Sequence, residues 1–182
     1  MGDRSRAWTA TASLRLRAEI ATAASPTWVD HTLSELAGAA GRPLPAAFTG
    51  FARRSLDYPH RYAHLSGLAR VTGLSVGALK GRFGRRALPS PAAYLRWLRC
   101  LAVAHLLCTE GMTTLGAVHR LGWSNSGNLC RKLRTATGLT PTDLRRSGGR
   151  ERLMMGFTER MLGPVDLARW DSLGGVFTRR AA

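Results

Sequence analysis

The chain has 182 residues, an apolar fraction of 45%, and a formal net charge of +16 from 27 Lys and Arg against 11 Asp and Glu. That length suits one domain with additions or two small ones, with enough apolar content for a core. Several classes are excluded: three cysteines (Cys100, Cys108, Cys130) supply neither a disulfide framework nor metal-type spacing, no stretch is long and apolar enough to span a bilayer, and Met1-Gly2-Asp3-Arg4-Ser5-Arg6 lacks the apolar run of a secretory signal.

Residues 1–10 read as a polar terminus. Ala12 to Ala23 has helical spacing in Leu14, Leu16 and Ile20. Ser25-Pro26 opens a second helix, with serine as cap and proline in the first turn. It carries Trp28, Thr32, Leu33, Leu36 and Ala40 and ends at Gly41. After Arg42-Pro43-Leu44-Pro45, a third helix runs to Leu56 with Phe48, Phe51 and Ala52 on one side, and Tyr58-Pro59-His60 breaks it.

A signature follows that occurs twice. Its first copy is Leu68-Ala69-Arg70-Val71-Thr72-Gly73-Leu74-Ser75, then Leu79 and Phe83. Its second is Leu115-Gly116-Ala117-Val118-His119-Arg120-Leu121-Gly122-Trp123-Ser124, then Leu129 and Leu133. In each, an apolar helix stops at glycine, serine caps the next helix, and an amphipathic helix begins, the pattern of a helix-turn-helix. The spacing predicts helices over 62–72 and 76–87 in the first unit, with Leu65, Leu68, Ala69 and Val71 as core. In the second it predicts helices over 114–121 and 125–137. Between them Ser90-Pro91 caps a long helix to Cys108, whose stripe is Tyr94, Leu95, Leu98, Leu101, Ala102 and Leu106. Gly138-Leu139-Thr140-Pro141 closes the second unit, one short turn reaches Arg146, and Gly148-Gly149 reads as a flexible joint. A helix over 150–162 carries Leu153, Met154, Phe157 and Met161. Residues 163–182 show Gly and Pro breaks around Val165–Trp170, read as one more turn, and a disordered end. No segment alternates as a strand, so the expected fold is all-α: two helix-turn-helix subdomains on a long linker helix, with extra helices at both ends.

The charge is concentrated on the repeated signature. Residues 61–150 hold fifteen Arg and Lys against Glu110 and Asp143, a balance of +13, leaving +3 elsewhere. Genome bias accounts for Arg over Lys but not for the missing acids. A basic field of this kind attracts polyanions, with affinity that falls as salt rises.

With these residues in place, residues 45–147 resemble the DNA-binding domain of the AraC/XylS family of transcription regulators. The resemblance rests on Leu68-Ala69, Gly73-Leu74-Ser75, Leu79, Phe83, Ser90-Pro91, Tyr94-Leu95, Arg99 and Leu106-Leu107. In the second unit it rests on Gly122-Trp123-Ser124, Leu129, Leu133, Gly138, Thr140-Pro141 and Leu144-Arg145. The family usually has Phe at the positions of Leu129 and Leu133, Gly at Leu88 and Ala at Val118. It also usually carries a sizeable signal-receiving domain, for which residues 1–44 are too short, so the family's ligand logic is not carried over. The chain divides accordingly into 1–44 (N-terminal helical extension), 45–147 (DNA-binding domain) and 148–182 (C-terminal helical extension).

With Leu79 and Phe83 inward, Val76, Gly77, Lys80, Gly81 and Gly84 face out in the first recognition helix. With Leu129 and Leu133 inward, Ser126, Gly127, Asn128, Arg131 and Lys132 face out in the second. Base contacts are expected from Gly77, Lys80, Gly81, Ser126, Asn128 and Arg131, because Asn can pair bidentately with adenine and Arg with guanine. Phosphate contacts are expected from Ser75, Arg82, Arg85, Arg86, Arg96, Ser124, Lys132 and Arg134, which position without specifying. Ser75 and Ser124 are read first as helix caps.

The implied function is sequence-specific binding of double-stranded DNA and transcription regulation in the cytoplasm, in contact with the nucleoid. The apolar faces of residues 12–55 and 150–162 are expected to pack on the DNA-binding domain, on each other or on a second subunit, with 150–162 against the first half of the chain and residues 12–55 as candidate homodimer or protein-partner surface; RNA polymerase is a further candidate partner. The competing readings are a degenerate helix-turn-helix that binds protein, favoured by the glycine-rich first recognition helix, and a nonspecific nucleic-acid binder. No enzyme signature is present: His60 and His64 have zinc-compatible spacing but no third ligand. No cofactor is implied. Cys130 beside Arg131 is more simply an idle or packed thiol than a redox switch.

Overall fold

The computed structural model describes residues 26–177, and all regular structure among them is helical. The expected helix over 12–23, the Ser25 cap and the terminal residues 178–182 lie outside the described residues.

Helix α1 (Pro26–Ala40) buries Trp28, Val29, Leu33 and Leu36. Helix α2 (Ala46–Asp57) buries Phe48, Phe51, Ala52 and Leu56, all on the side expected from their spacing. The first unit comprises α3 (Leu65–Thr72) and α4 (Val76–Gly84). Two details depart from expectation. Residues 58–62 form turns, with the Arg61 amide donating to the Tyr58 carbonyl at 2.9 Å, so α3 starts three residues after the expected Tyr62. Val71 is 40% exposed rather than core. Thr72, four residues after buried Leu68, takes the inward position, its hydroxyl donating to the Leu68 carbonyl at 2.9 Å, and the helical rotation carries Val71 outward.

Helix α4 also ends early. The Leu88 amide donates back to Phe83 O at 3.1 Å, and Ala87 adopts φ +49°, a left-handed backbone that closes the helix at Gly84 instead of Ala87.

Helix α5 (Pro91–Ala104) is capped by Ser90, whose Oγ accepts from the Ala93 amide at 3.2 Å. It continues through one wide π turn over His105–Thr109. The second unit comprises α6 (Thr114–Leu121) and α7 (Ser126–Thr137). A short α8 (Pro141–Arg145) follows, opened by a reciprocal capping box between Thr140 and Asp143. These hydrogen bonds from the Thr140 hydroxyl and amide hold the Asp143 carboxyl below the usual carboxylate range.

The C-terminal segment differs most from expectation. Gly148-Gly149 is not a flexible joint: Gly148 makes a left-handed turn (φ +75°), and Gly149 is buried as the first residue of α9 (Gly149–Met161). Two further helices follow where one turn was expected, α10 (Pro164–Asp171) and α11 (Gly174–Phe177). Proline at the first turn of α10 supplies a preset φ where no amide partner is lost.

One hydrophobic cluster contains buried residues from every helix from α1 to α11. Helix α5 is its axis, packed against α2, α3, α4, α7, α8 and α9, while α1 packs on α2 and α9. Of the expected alternatives for the apolar faces of α1 and α2, packing within the chain is the one seen, with α9 against α1 as expected for residues 150–162. Arg150 pairs with Glu35 across the α9–α1 contact.

The centre of the core is a nest of rings: Phe48, Phe51, Phe83, Tyr94, Phe157, Trp170 and Phe177. Its polar atoms are satisfied internally. Trp170 Nε1 donates to the Tyr94 oxygen at 3.0 Å, and the Tyr94 hydroxyl donates to Met161 O at 2.8 Å. Burial pushes the Tyr94 phenol well above its ordinary range.

The π turn carries a titrating contact. His105 stacks on Trp28 with ring centroids 4.5 Å apart, and its Nε2 lies 3.1 Å from Glu110. Burial lowers the His105 pKa below 6.5 despite Glu110, with Arg150 and Arg120 acting in the same direction as burial. The unfolded chain therefore takes up a proton near pH 6.5 that the folded chain resists. Stability from this group is present above about pH 6.5 and is lost as pH falls through the lower folded value; His60, also lowered by burial, adds in the same sense. His105→Phe keeps the stack and removes the proton. In urea melts it should flatten the loss of stability on the acid side of about pH 6.5; an unchanged acid limb would refute this assignment.

Candidate nucleic-acid interface

Each unit is built around a glycine that ends its first helix in a left-handed conformation, Gly73 at φ +66° and Gly122 at φ +65°. An L-residue there would be strained, so these two positions set the turns that aim α4 and α7. Ser75 caps α4 as expected, accepting from the Ala78 amide at 3.0 Å. In the second unit the cap is not Ser124 but Asn125, whose Oδ1 accepts from the Asn128 amide at 2.8 Å. Two adjacent residues could cap, and the register of α7 selects the second.

Released from capping, Ser124 has another role. Its Oγ accepts from Asn128 Nδ2 at 2.9 Å, while Asn128 Oδ1 accepts from Arg131 Nη2 at 3.3 Å. Ser124, Asn128 and Arg131 thus form a connected row along one face of the helix. Both polar atoms of the Asn128 amide are engaged, which holds its plane and keeps the Arg131 fork beside it. Arg131, Lys132 and Arg134 are exposed, Gly127 is exposed, and Ser126 is half-buried. Below this face Leu129 and Leu133 are buried as their spacing requires.

The corresponding face of α4 is barer. Gly77, Lys80 and Gly84 are exposed, while Val76, Gly81 and Arg82 are half-buried. The Arg85 guanidinium folds back across Gly81, within 3.2 Å of where a Cβ there would sit. The absence of that Cβ lets Arg85 bring a second cation to the Lys80 face, which helical spacing alone does not reveal. Arg96 is exposed on α5. Arg86 is engaged elsewhere: all three of its guanidinium nitrogens make hydrogen bonds, two of them to Ser172.

The two units are tied to the linker. Arg99 Nη2 donates to Leu121 O at 3.0 Å, and its guanidinium lies over the Trp123 ring, 4.0 Å from the centroid. Burial lowers its pKa to about 10, so it stays charged at neutral pH. This one side chain fixes the α6–α7 turn to α5. On the far side Arg145 donates to Met112 O at 2.9 Å, holding α8 to the segment before α6.

The field over the units is nearly uncompensated. Both acids of residues 61–150 are spent internally, Glu110 on His105 and Arg120, and Asp143 on Thr140 and Arg146. Neither serves the exposed cations of α4 or α7. Among the described residues no group of His, Cys, Asp and Glu could hold a metal, and no helix is long and apolar enough to cross a membrane. Burial pushes the Cys100 thiol up to about 12 and raises that of Cys108, whose Sγ donates to Leu144 O at 3.2 Å.

Comparison with protein families matches residues 68–147 to a family described as a helix-turn-helix domain, of the AraC type. That stretch runs from the first helix of the first unit to just past α8. Comparisons with curated proteins and with solved structures give no match.

Proposed function

We propose that the chain, whose residues 68–147 match an AraC-type helix-turn-helix domain and so support DNA binding, is a sequence-specific transcription regulator whose α4 and α7 enter successive major grooves of one duplex. The observation that carries this reading is the Ser124–Asn128–Arg131 row. It presents a half-buried amide and an exposed guanidinium, the side chains suited to adenine and guanine edges, on the outward face of a rigidly held helix. In this reading Ser126, Asn128 and Arg131 are the base contacts of α7, and Gly77, Lys80 and Gly81 those of α4. Ser75, Arg82, Arg85, Arg96, Ser124, Lys132 and Arg134 hold the phosphates. The contacting surface lies within residues 45–147, and the helices outside it are scaffold.

Selection of duplexes from a random library, followed by salt titration of the selected and a scrambled duplex, tests the proposal. A selected duplex that binds far tighter than the scrambled one supports it. Equal, salt-dependent binding of both would make the chain a nonspecific binder, and absence of binding would favour a degenerate protein-interaction module, the reading suggested by the glycine-rich face of α4. Arg131→Ala should weaken the selected duplex by about 1–3 kcal/mol and relax the preference at one base pair. An equal loss on scrambled DNA would reassign Arg131 to phosphate.

A further inference from the structure

Helix α4 is a weak helix by composition. Three of its nine residues are glycine, at 77, 81 and 84, and glycine opposes helix more than any residue except proline. Its last turn closes on Ala87 in a backbone conformation that L-residues rarely adopt, with φ +49°. Such a turn persists only where its surroundings enforce it. The enforcing contacts come from 82 to 86 residues further along the chain. Arg169 Nη1 on α10 donates to the carbonyl of Ala87 itself at 3.0 Å. Arg86, the neighbouring residue, donates through Nε to Ser172 Oγ at 2.6 Å and through Nη2 to Ser172 O at 2.9 Å. Ser172 Oγ in turn donates to Arg169 O at 2.7 Å, closing a loop of hydrogen bonds. Beneath it Phe83, the inward anchor of α4, meets Trp170 edge-on at 5.3 Å and Phe177 at 6.2 Å.

Helix α7 is built otherwise. It has twelve residues, is capped by Asn125 and ends on Gly138, whose amide donates to Arg134 O at 2.8 Å, so both ends are closed by bonds within the second unit. Among the described residues, the hydrogen bonds from α10 and the turn after it reach the first unit.

We infer that α10 and the turn after it are a clamp that positions α4 for DNA, with Arg169, Ser172 and Arg86 as positioning residues for the first unit. The inference rests on the proposed reading of α4 as a recognition helix. It also reassigns Arg86: a guanidinium spent on Ser172 is an internal strut, not a phosphate contact.

The test uses the full chain and Arg169→Ala, a half-exposed position where the substitution leaves the ring core intact. The DNA probes are the selected duplex and a copy with the first-unit half-site scrambled, that half-site being the one whose protection Lys80→Ala weakens. Arg169→Ala should raise Kd on the intact duplex roughly three- to tenfold, the range for one lost hydrogen bond. On the scrambled copy Kd should stay within about twofold, and the salt slope should not change on either, since no phosphate contact is lost. Ala87→Gly should restore most of the loss, because glycine holds this φ without help. Equal losses on both duplexes with a salt slope shallower by about one would make Arg169 a phosphate contact and overturn the clamp. No loss on the intact duplex would overturn it as well.

Amide exchange of the free protein separates this inference from the function it rests on. Arg169→Ala should speed exchange at residues 84–88 and leave α7 unchanged. Unchanged exchange at 84–88 refutes the clamp whatever the DNA result. Faster exchange there in a protein without sequence preference upholds the clamp and refutes the functional reading instead.

Discussion

Replacing Trp170 with alanine should cost the folded chain about 3–5 kcal/mol, the range for emptying a large aromatic site in a packed core. Trp170 is fully buried, and its ring lies 5.1–5.3 Å from those of Tyr94, Phe48, Phe51 and Phe83 and 5.8 Å from Phe177. Its indole N–H is also the partner of the buried Tyr94 oxygen. The substitution leaves a cavity bordered by four helices, and the rings around it cannot close together without moving α4 and α5. Chemical denaturation measures the loss. A change below about 1 kcal/mol, typical of a surface substitution, would show that the C-terminal helices are an accessory. The expected result places a main anchor of the fold outside the stretch that matches the helix-turn-helix family, residues 68–147.

Gly149→Ala should destabilise by about 3 kcal/mol, at the upper end of overpacking costs. A Cβ at this residue would lie 2.2 Å from Asp143 O and 2.5 Å from Leu144 O, both backbone atoms, so a helix must shift to make room. Gly38 in α1 is the control. It has open space where its Cβ would go, and Gly38→Ala should stabilise by up to about 1 kcal/mol through helix propensity alone. Opposite signs for the same substitution in two helices, read from thermal or urea melts, establish that the α8–α9 junction is a tight contact. Two stabilised variants would mean that α9 is free to hinge there.

The contrast between these glycines also shows what local sequence can convey. Gly73-Leu74-Ser75 was legible because the turn, the left-handed residue and the cap occur within three positions, and in Gly122-Trp123-Ser124 the left-handed glycine and the turn were legible while the cap lies one residue further on, at Asn125. The π turn of the linker aside, α5 was legible because Ser90-Pro91 caps it and its apolar spacing spans several turns, and α6 because it ends at Gly122. By contrast, α10 and α11 have eight and four residues, too few for periodicity to declare itself, and helices so short persist only by packing. What holds them is Trp170 and Phe177 in a ring nest drawn from distant parts of the chain, and no window contains that information. The Gly148-Gly149 pair misled because a glycine that permits motion and a glycine that permits close approach are written alike.

In the candidate interface the outward faces of α4 and α7 followed from Leu79, Phe83, Leu129 and Leu133. The roles of individual polar residues did not. Ser124 and Asn125 are both good caps, and only the register decides that Asn125 caps while Ser124 holds Asn128. Arg86 is one of many arginines near α4 in the sequence; its tie to Ser172 arises from a partner 86 residues away. Val71 and Thr72 exchange expected places because a hydroxyl can satisfy itself on the Leu68 carbonyl, which makes Thr72 compatible with the inward side.

In the proposed function two helices carried on one rigid linker read one duplex together. Its most direct test is the affinity of the chain for its selected duplex as base pairs are inserted between the two half-sites. Paired major-groove readers require half-sites about one helical turn, roughly 34 Å, apart on the same face. Inserting about five base pairs, half a turn, should therefore reduce affinity to that of a duplex carrying a single half-site. Affinity unchanged by the half-turn insertion would rule out paired reading, because only one of the two helices could then be reading the site.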